Sequence, residues 1–197
     1  MANDFYGKGE EYNIPSTSNY MRFLDGDNRF RILGAFSEGT AIQGIEYWKT
    51  INGTRKPIRI HRDQAVPVEE LELNKFGDPD IPKFFWAFPV WNYEEKRIQI
   101  LEITQKTILN YIKKVIDNPK WGDPREFDFI VTREKQGEKT VYTVTNDPKE
   151  KLDKSIVELY TNTFCKIQRL FDGTDPWNAN LEDSEKDLVD DADKALP

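Results

Sequence analysis

Residues 45–62 read IEYWKTINGTRKPIRIHR. Two alternating runs, 45–51 and 54–62, flank Asn52-Gly53, the dipeptide best suited to a two-residue turn with both central residues at positive φ. A loop of two residues fixes the register, and the register sorts the side chains. Ile51 then faces Thr54, Lys49 faces Lys56, Tyr47 faces Ile58 and Ile45 faces Ile60. On the other side Thr50 meets Arg55, Trp48 meets Pro57 and Glu46 meets Arg59, with His61 following. The first side is apolar at its base and is expected to pack on a core. The second sets Trp48 among Arg55, Arg59 and His61 and is expected at the surface. Pro57 has no backbone donor, which puts its strand at a sheet edge.

Upstream, 28–36 (NRFRILGAF) alternates, with Phe30, Ile32 and Phe36 on one side and Arg29 and Arg31 on the other. That pattern predicts a half-buried strand. Residues 1–27 have no sustained period and read as irregular. Downstream, 63–82 (DQAVPVEELELNKFGDPDIP) is rich in Pro and acid and reads as an insertion loop. Residues 83–90 (KFFWAFPV) predict a strand that runs on into WNY; Phe84, Trp86 and Phe88 share one side until Pro89 disturbs the period. Residues 97–104 (RIQILEIT) predict another strand. The period then turns helical over 104–117, with Thr104 as a cap, a stripe of Ile108, Leu109, Ile112, Val115 and Ile116, and a stop at Asn118-Pro119. Strands at 127–133 and 140–145 flank the turn EKQGE. Asp147-Pro148-Lys149-Glu150 looks like a helix start, followed by a stripe of Leu152, Ile156, Leu159, Tyr160, Phe164, Ile167 and Phe171 that Gly173 ends.

This order predicts a mainly β protein. The expected architecture is an OB-fold: a five-stranded antiparallel barrel with an inserted helix between its third and fourth strands. A C-terminal helix and a disordered acidic tail complete it. The expected units are an irregular segment 1–27, an OB-fold domain 28–147, a helix 148–172 packing on or near the barrel, and a tail 173–197. An open antiparallel α+β sheet is the alternative.

Composition bounds the function. The chain of 197 residues suits one domain, and its 38% hydrophobic and 32% charged content fits a soluble body with one polar segment. A single cysteine, Cys165, permits no internal disulfide, and with the single histidine, His61, it cannot make a zinc site of the usual Cys/His kind. No window approaches the roughly 18 apolar residues of a membrane span. The start, MANDFYGKGEEYN, has no apolar signal core, so a cytoplasmic location is expected. The net charge of -7 is carried by the last 26 residues, where nine acidic groups meet two basic ones. Such a segment cannot bury enough apolar surface to offset its ordering entropy. Residues 28–62 hold the reverse excess, seven cations against two carboxylates, which points to a polyanion partner.

Catalytic patterns are weak. A nucleophilic triad would have to use His61, which stands among arginines. Cys165 falls on the apolar side of an expected helix, where a thiol is inert. Asp25-Gly26-Asp27-Asn28 starts like a calcium loop, yet position twelve is Phe36 and not Glu. Gly7-Lys8-Gly9 lacks the spacing of a phosphate-binding loop. The expectation is a non-enzyme without cofactor or metal. What does stand out is aromatics interleaved with cations on strands. Unpaired bases stack on aromatic rings while cations hold the phosphates. The candidate nucleic-acid contacts are Arg29, Arg31, Trp48, Arg55, Arg59, His61, Arg62, Lys83, Trp86, Phe88, Trp91 and Tyr93. Phe30, Tyr47, Phe127 and Phe129 face inward by their pattern and are assigned to the core.

The stretches DFYGKGEEYNIPSTSNYMRFLDGDNRFRIL, EYWKT, KFFWAFPVWNY, RIQILEITQKTI, DFIVTR and PKEKLD resemble the single-stranded DNA-binding proteins of tailed bacteriophages, over residues 4–153. The resemblance implies an OB-fold, sequence-nonspecific binding of single-stranded DNA in phage replication and recombination, and an acidic C-terminal tail that competes with DNA and recruits replication proteins. It places strand aromatics at Trp48, Trp86 and Trp91. A replisome adaptor, whose basic hairpin and acidic tail each bind proteins, and an RNA-binding OB-fold protein are the competing readings.

Overall fold

The Asn52-Gly53 turn forms as its chemistry requires, with φ of 52° and 76° at the two residues. In the computed structural model, which describes residues 18–74 and 76–180, it joins β3 (Ile42–Ile51) to β4 (Thr54–His61). Every expected pair is present, from Ile51 opposite Thr54 to Ile45 opposite Ile60, and from Thr50 opposite Arg55 to Glu46 opposite Arg59. Among the described residues β4 pairs with β3 alone, so Pro57 does lie on an edge.

The other strands are β1 (Tyr20–Met21), β2 (Gly26–Ile32), β5 (Lys83–Asn92), β6 (Arg97–Ile103), β7 (Phe129–Gln136) and β8 (Lys139–Asn146). They form one mixed sheet in the order β1-β6-β5-β2-β7-β8, with β3 and β4 branching from β5. One edge of β5 is covered by β6; the other pairs first with β3, through Lys83–Ala87, and then with β2, through Val90–Asn92. Pro89 falls in the gap between those two partners, where its missing donor costs no ladder bond. The strand therefore runs straight through it.

The protein is mainly β with two helices, but the expected closed barrel does not form. The free edge of β6 is taken by β1 in parallel, and among the described residues β8 pairs only with β7. Helix α1 (Lys106–Ile116) closes the core in place of a β6–β8 ladder. Its stripe Ile108, Leu109, Ile112 and Val115 is buried with Leu101 and Ile103 of β6 and Val144 of β8, and the Tyr111 hydroxyl donates to Asn146 at 2.7 Å. Phe30, Phe127 and Phe129 are fully buried in this core, as their pattern requires, and Tyr47 is buried on the hairpin.

Three segment boundaries differ from expectation. The described end of the 1–27 segment is not all irregular, since β1 and the start of β2 lie in it; residues 1–17 are outside the described residues. Phe36 is not on the β2 strand but in a short 3-10 turn, where its ring packs edge-on to Trp86. The single helix expected over 148–172 is broken. Asp147 donates its amide to Asp128, Glu150 to Glu126, and this tether holds 147–152 out of helix. Asp153 caps α2 (Lys154–Thr161) instead. Thr161 and Thr163 then turn their hydroxyls back on the carbonyls of Val157 and Leu159, a local competition that ends helices. A 3-10 turn, Ile167–Leu170, follows.

The other face of the sheet carries a second cluster. Ile42, Phe85, Ala87 and Ile100 are covered by Ile167 and Leu170, with Cys165, Phe171 and Trp177 packed around them. A Cβ on Gly44 would stand 2.9 Å from the Phe85 ring and 3.0 Å from that of Phe171, so glycine is what lets this segment approach. Packing continues past residue 173: the Lys166 amide donates to Pro176 at 2.9 Å. Residues 173–178, expected to open the tail, are thus packed on the domain, and residues 181–197 lie outside the described residues. No helix among the described residues is long and apolar enough to cross a membrane.

Candidate nucleic-acid interface

The cations that cluster in sequence between residues 28 and 62 are largely neutralised in space. Asp128 is 1% exposed and accepts from Arg29 Nε at 2.9 Å, from Arg31 Nε, and from the Tyr93 hydroxyl at 3.0 Å. Arg31 is itself 2% exposed and gives its remaining bonds to the carbonyls of Arg125 and Glu150, at 3.1 and 3.0 Å. It ties β2 to the 123–128 and 147–152 connections and cannot reach a ligand, which corrects its assignment as a contact. Arg29 also pairs with Asp147 at 3.2 Å and lies 4.7 Å over the Tyr93 ring. Burial, with Asp128 as its acceptor, pushes the Tyr93 phenol up to about 12. Trp91 stands edge-on to Tyr93 and is half-buried.

The hairpin repeats this pattern. Arg59 bridges Glu46 at 3.4 Å and Glu102 at 2.6 Å and is nearly buried. Burial raises the Glu46 carboxyl, against the pull of Arg59. Arg55 meets Glu72 at 3.6 Å and Asp80 at 2.8 Å while lying 5.3 Å over the Trp48 ring. Lys49 binds Glu70 at 2.9 Å, which holds the Glu70 carboxyl below its usual range. His61 stacks on Phe171 with centroids 3.9 Å apart. The side expected to be open is therefore half covered by the C-terminal segment, and Trp48 is half-buried.

Two expected aromatics belong to the core. Phe88 is 2% exposed and Trp86 6%. Phe88 offers no face to a ligand. Trp86 is different, because it also lines a cavity of about 650 Å³ between α1 and the start of β5. That size lies within the usual range for ligand sites. Ile81, Pro82, Phe84, Trp86 and Leu109 give it an apolar floor, and Lys83, Lys106 and Lys113 stand around it with Thr104 and Asn110. Among the described residues no carboxylate lines it. Phe84 and Trp86 sit edge-to-face at 6.4 Å, and Arg62 lies 5.9 Å over the Phe84 ring. The buried indole Nε1 of Trp86 has no hydrogen-bond partner among the described residues.

Local sequence explains these positions. Lys106, Asn110 and Lys113 recur at helical spacing beside the buried stripe, so α1 turns them to one side. Gln105 makes no side-chain cap, which leaves the first-turn amides of α1 and their positive dipole end available near Lys106. Lys113 has an exposed partner one turn on, Asp117, and such pairs are weak. Arg62, Lys83 and Lys106 have no carboxylate within 4 Å among the described residues.

Of the twelve expected contacts, Arg62, Lys83 and Trp86 meet at this groove. Trp48, Arg55, Arg59 and His61 lie on the hairpin, Arg29, Arg31, Trp91 and Tyr93 at the β2–β5 end, and Phe88 in the core. Sequence reading missed Ile81, Phe84, Lys106, Asn110 and Lys113. The helical spacing of the last three was visible, but only the packing of α1 against β5 shows what they face. A scan against protein-family models finds no match for the chain, and a search of curated proteins finds none either.

Proposed function

We propose that the groove between α1 and β5 binds single-stranded nucleic acid, single-stranded DNA in the first place, without sequence preference. The observation that carries this reading is a groove with an aromatic floor and a cationic rim, lined by no carboxylate of the described residues, while most of the cations clustered between residues 28 and 62 are paired. A base offers its flat face to Phe84, which Trp86 backs, and phosphates meet Lys83, Lys106, Lys113 and Arg62. The chain order supports an opened OB-fold: β2, β5, β6, β7 and β8 follow one another with α1 between the third and fourth, and the β3–β4 hairpin is inserted between the first and second. In this reading the protein serves phage replication and recombination in the host cytoplasm, is not an enzyme, and works without a cofactor.

The seven acidic residues beyond Asn180 act as a competitor for the same cations and as a docking segment for replication proteins. Seventeen residues span up to about 56 Å when extended, enough to reach the groove from the opposite face. Titration with oligo-dT tests the reading. Tryptophan emission is expected to fall on binding, and log K to drop linearly with log salt. Phe84→Ala is expected to weaken binding by about 5- to 150-fold, the range for one stacked base. An unquenched, salt-independent response would leave the adaptor reading, which the outward apolar side chains of the 63–82 loop favour.

A further inference from the structure

We propose that residues 63–80 form a displaceable strap, and that the hairpin side beneath it is a second length of nucleic-acid interface continuing from the groove. This rests on the reading above and extends it. The side in question carries Ile45, Tyr47 and Lys49 on β3, opposite Ile60, Ile58 and Lys56 on β4. Ile45 pairs with Phe84, so this side runs on directly into the groove floor. It offers a ring and two lysines in sequence, the same chemistry as the groove itself.

In the free protein Glu70 of the strap stands on this side, and Glu72 and Asp80 fasten the strap to the backbone of β3 and to Arg55, whose side chain belongs to the opposite side of the hairpin. Glu70 accepts from Lys49 Nζ at 2.9 Å and from the Tyr47 hydroxyl at 3.3 Å. Glu72 accepts the Thr50 amide and lies 3.6 Å from Arg55 Nε. Asp80 accepts from Arg55 Nη2 at 2.8 Å. The strap is built inside out. A covering loop ordinarily turns its apolar side chains in and its carboxylates out; here the carboxylates point in, and Val68 and Leu73 are 67% and 68% exposed. None of the described residues between 63 and 80 is buried, so no apolar anchor holds the strap down. Its attachments are half-exposed ion pairs, which are weak and which salt screens. Residues 72–80 are closed on themselves, through Asn74 N to the Asp78 carbonyl at 2.7 Å and Asp80 N to the Glu72 carbonyl at 2.6 Å, and so can leave as a unit. A phosphate chain arriving from the groove replaces one set of anions by another.

The test compares the variant E70Q/E72Q/D80N with E134Q/E138Q/E158Q, which changes the net charge equally at exposed sites away from the strap. Labelled oligo-dT is titrated by anisotropy at several salt concentrations. The strap variant is expected to bind at least tenfold more tightly than the control variant. Its salt slope is expected to be steeper by about 1.4, as Lys49 and Arg55 are each freed to meet a phosphate. Equal affinity and slope in the two variants, with the wild type binding normally, overturns the strap and leaves the groove reading intact. No binding by any of the three overturns the groove reading, and the strap with it. A second measurement needs no variant: cleavage of the wild type after Glu69, Glu70 and Glu72 by a glutamate-specific protease is expected to speed up when oligo-dT is added. Unchanged or slower cleavage on a saturating oligonucleotide contradicts displacement.

Discussion

Asp128→Asn asks whether the arginines of β2 serve the fold or a ligand. The Asp128 carboxylate is sealed inside and takes bonds from Arg29, Arg31 and Tyr93. Arg31 is equally sealed, and its other acceptors are two neutral carbonyls. Removing the one charge leaves a guanidinium with no counterion and no water. Breaking a buried pair in this way costs about 3–5 kcal/mol. In a chain of this size each kcal/mol moves the melting midpoint by about 2–4 °C, so a fall of about 6–20 °C is expected. Urea unfolding followed by circular dichroism gives the same quantity directly, with an unchanged denaturant slope. Affinity for oligo-dT, measured well below the midpoint, is expected to stay within about twofold of wild type, an RT-scale change. A destabilisation under about 1 kcal/mol, or a large loss of affinity in protein that is still folded, would refute the reasoning. The double replacement Arg31→Met with Asp128→Leu is expected to recover much of the loss, because an apolar pair removes both desolvation terms.

Truncation after Asn180 removes seven acidic and two basic residues and is expected to raise affinity for oligo-dT and, more strongly, for duplex; truncation after Asp172 also strips Trp177 and the Asn178 carbonyl that Arg169 binds, and is expected to lower the melting midpoint. Tyr93, pushed up to about 12, should be the late phase of a phenolate absorbance titration. The sign follows from a folded value above the unfolded one near 10: its contribution to stability is whole below about pH 10 and is lost as pH rises through about 12. Burial likewise raises the Cys165 thiol to about 12. It should react with a disulfide reagent at neutral pH only as fast as the C-terminal segment opens, and addition of urea below the unfolding transition should speed it.

The register of the β3–β4 hairpin, the core aromatics Phe30, Phe127 and Phe129, and the buried stripe of α1 were legible in the chain, because each depends on neighbours two to four residues away or on a turn that two residues define. Burial of Arg31 was not legible. It alternates with Phe30 and Ile32 and so reads as outward, yet β7 and its preceding loop bring Asp128 across from nearly a hundred residues away. The same holds for the opened sheet, since which edge of β6 is free depends on where β1 and α1 come to rest.

Charge shows the division most clearly. The order of residues is enough to show that 28–62 carry a cationic excess, that the last stretch carries an acidic one, and that indoles stand among the cations. Which of those charges are spent depends on the folded arrangement. Glu70, Glu72 and Asp80 come from the loop, Glu102 from β6 and Asp128 from the turn into β7, and each cancels a cation from which it is distant along the chain. Coulomb attraction depends on separation in space and on the dielectric there, and neither is a property of the order of residues. Arg62 is among those left over, and it lies over Phe84 beside Lys83 and Lys106, where α1 crosses the start of β5.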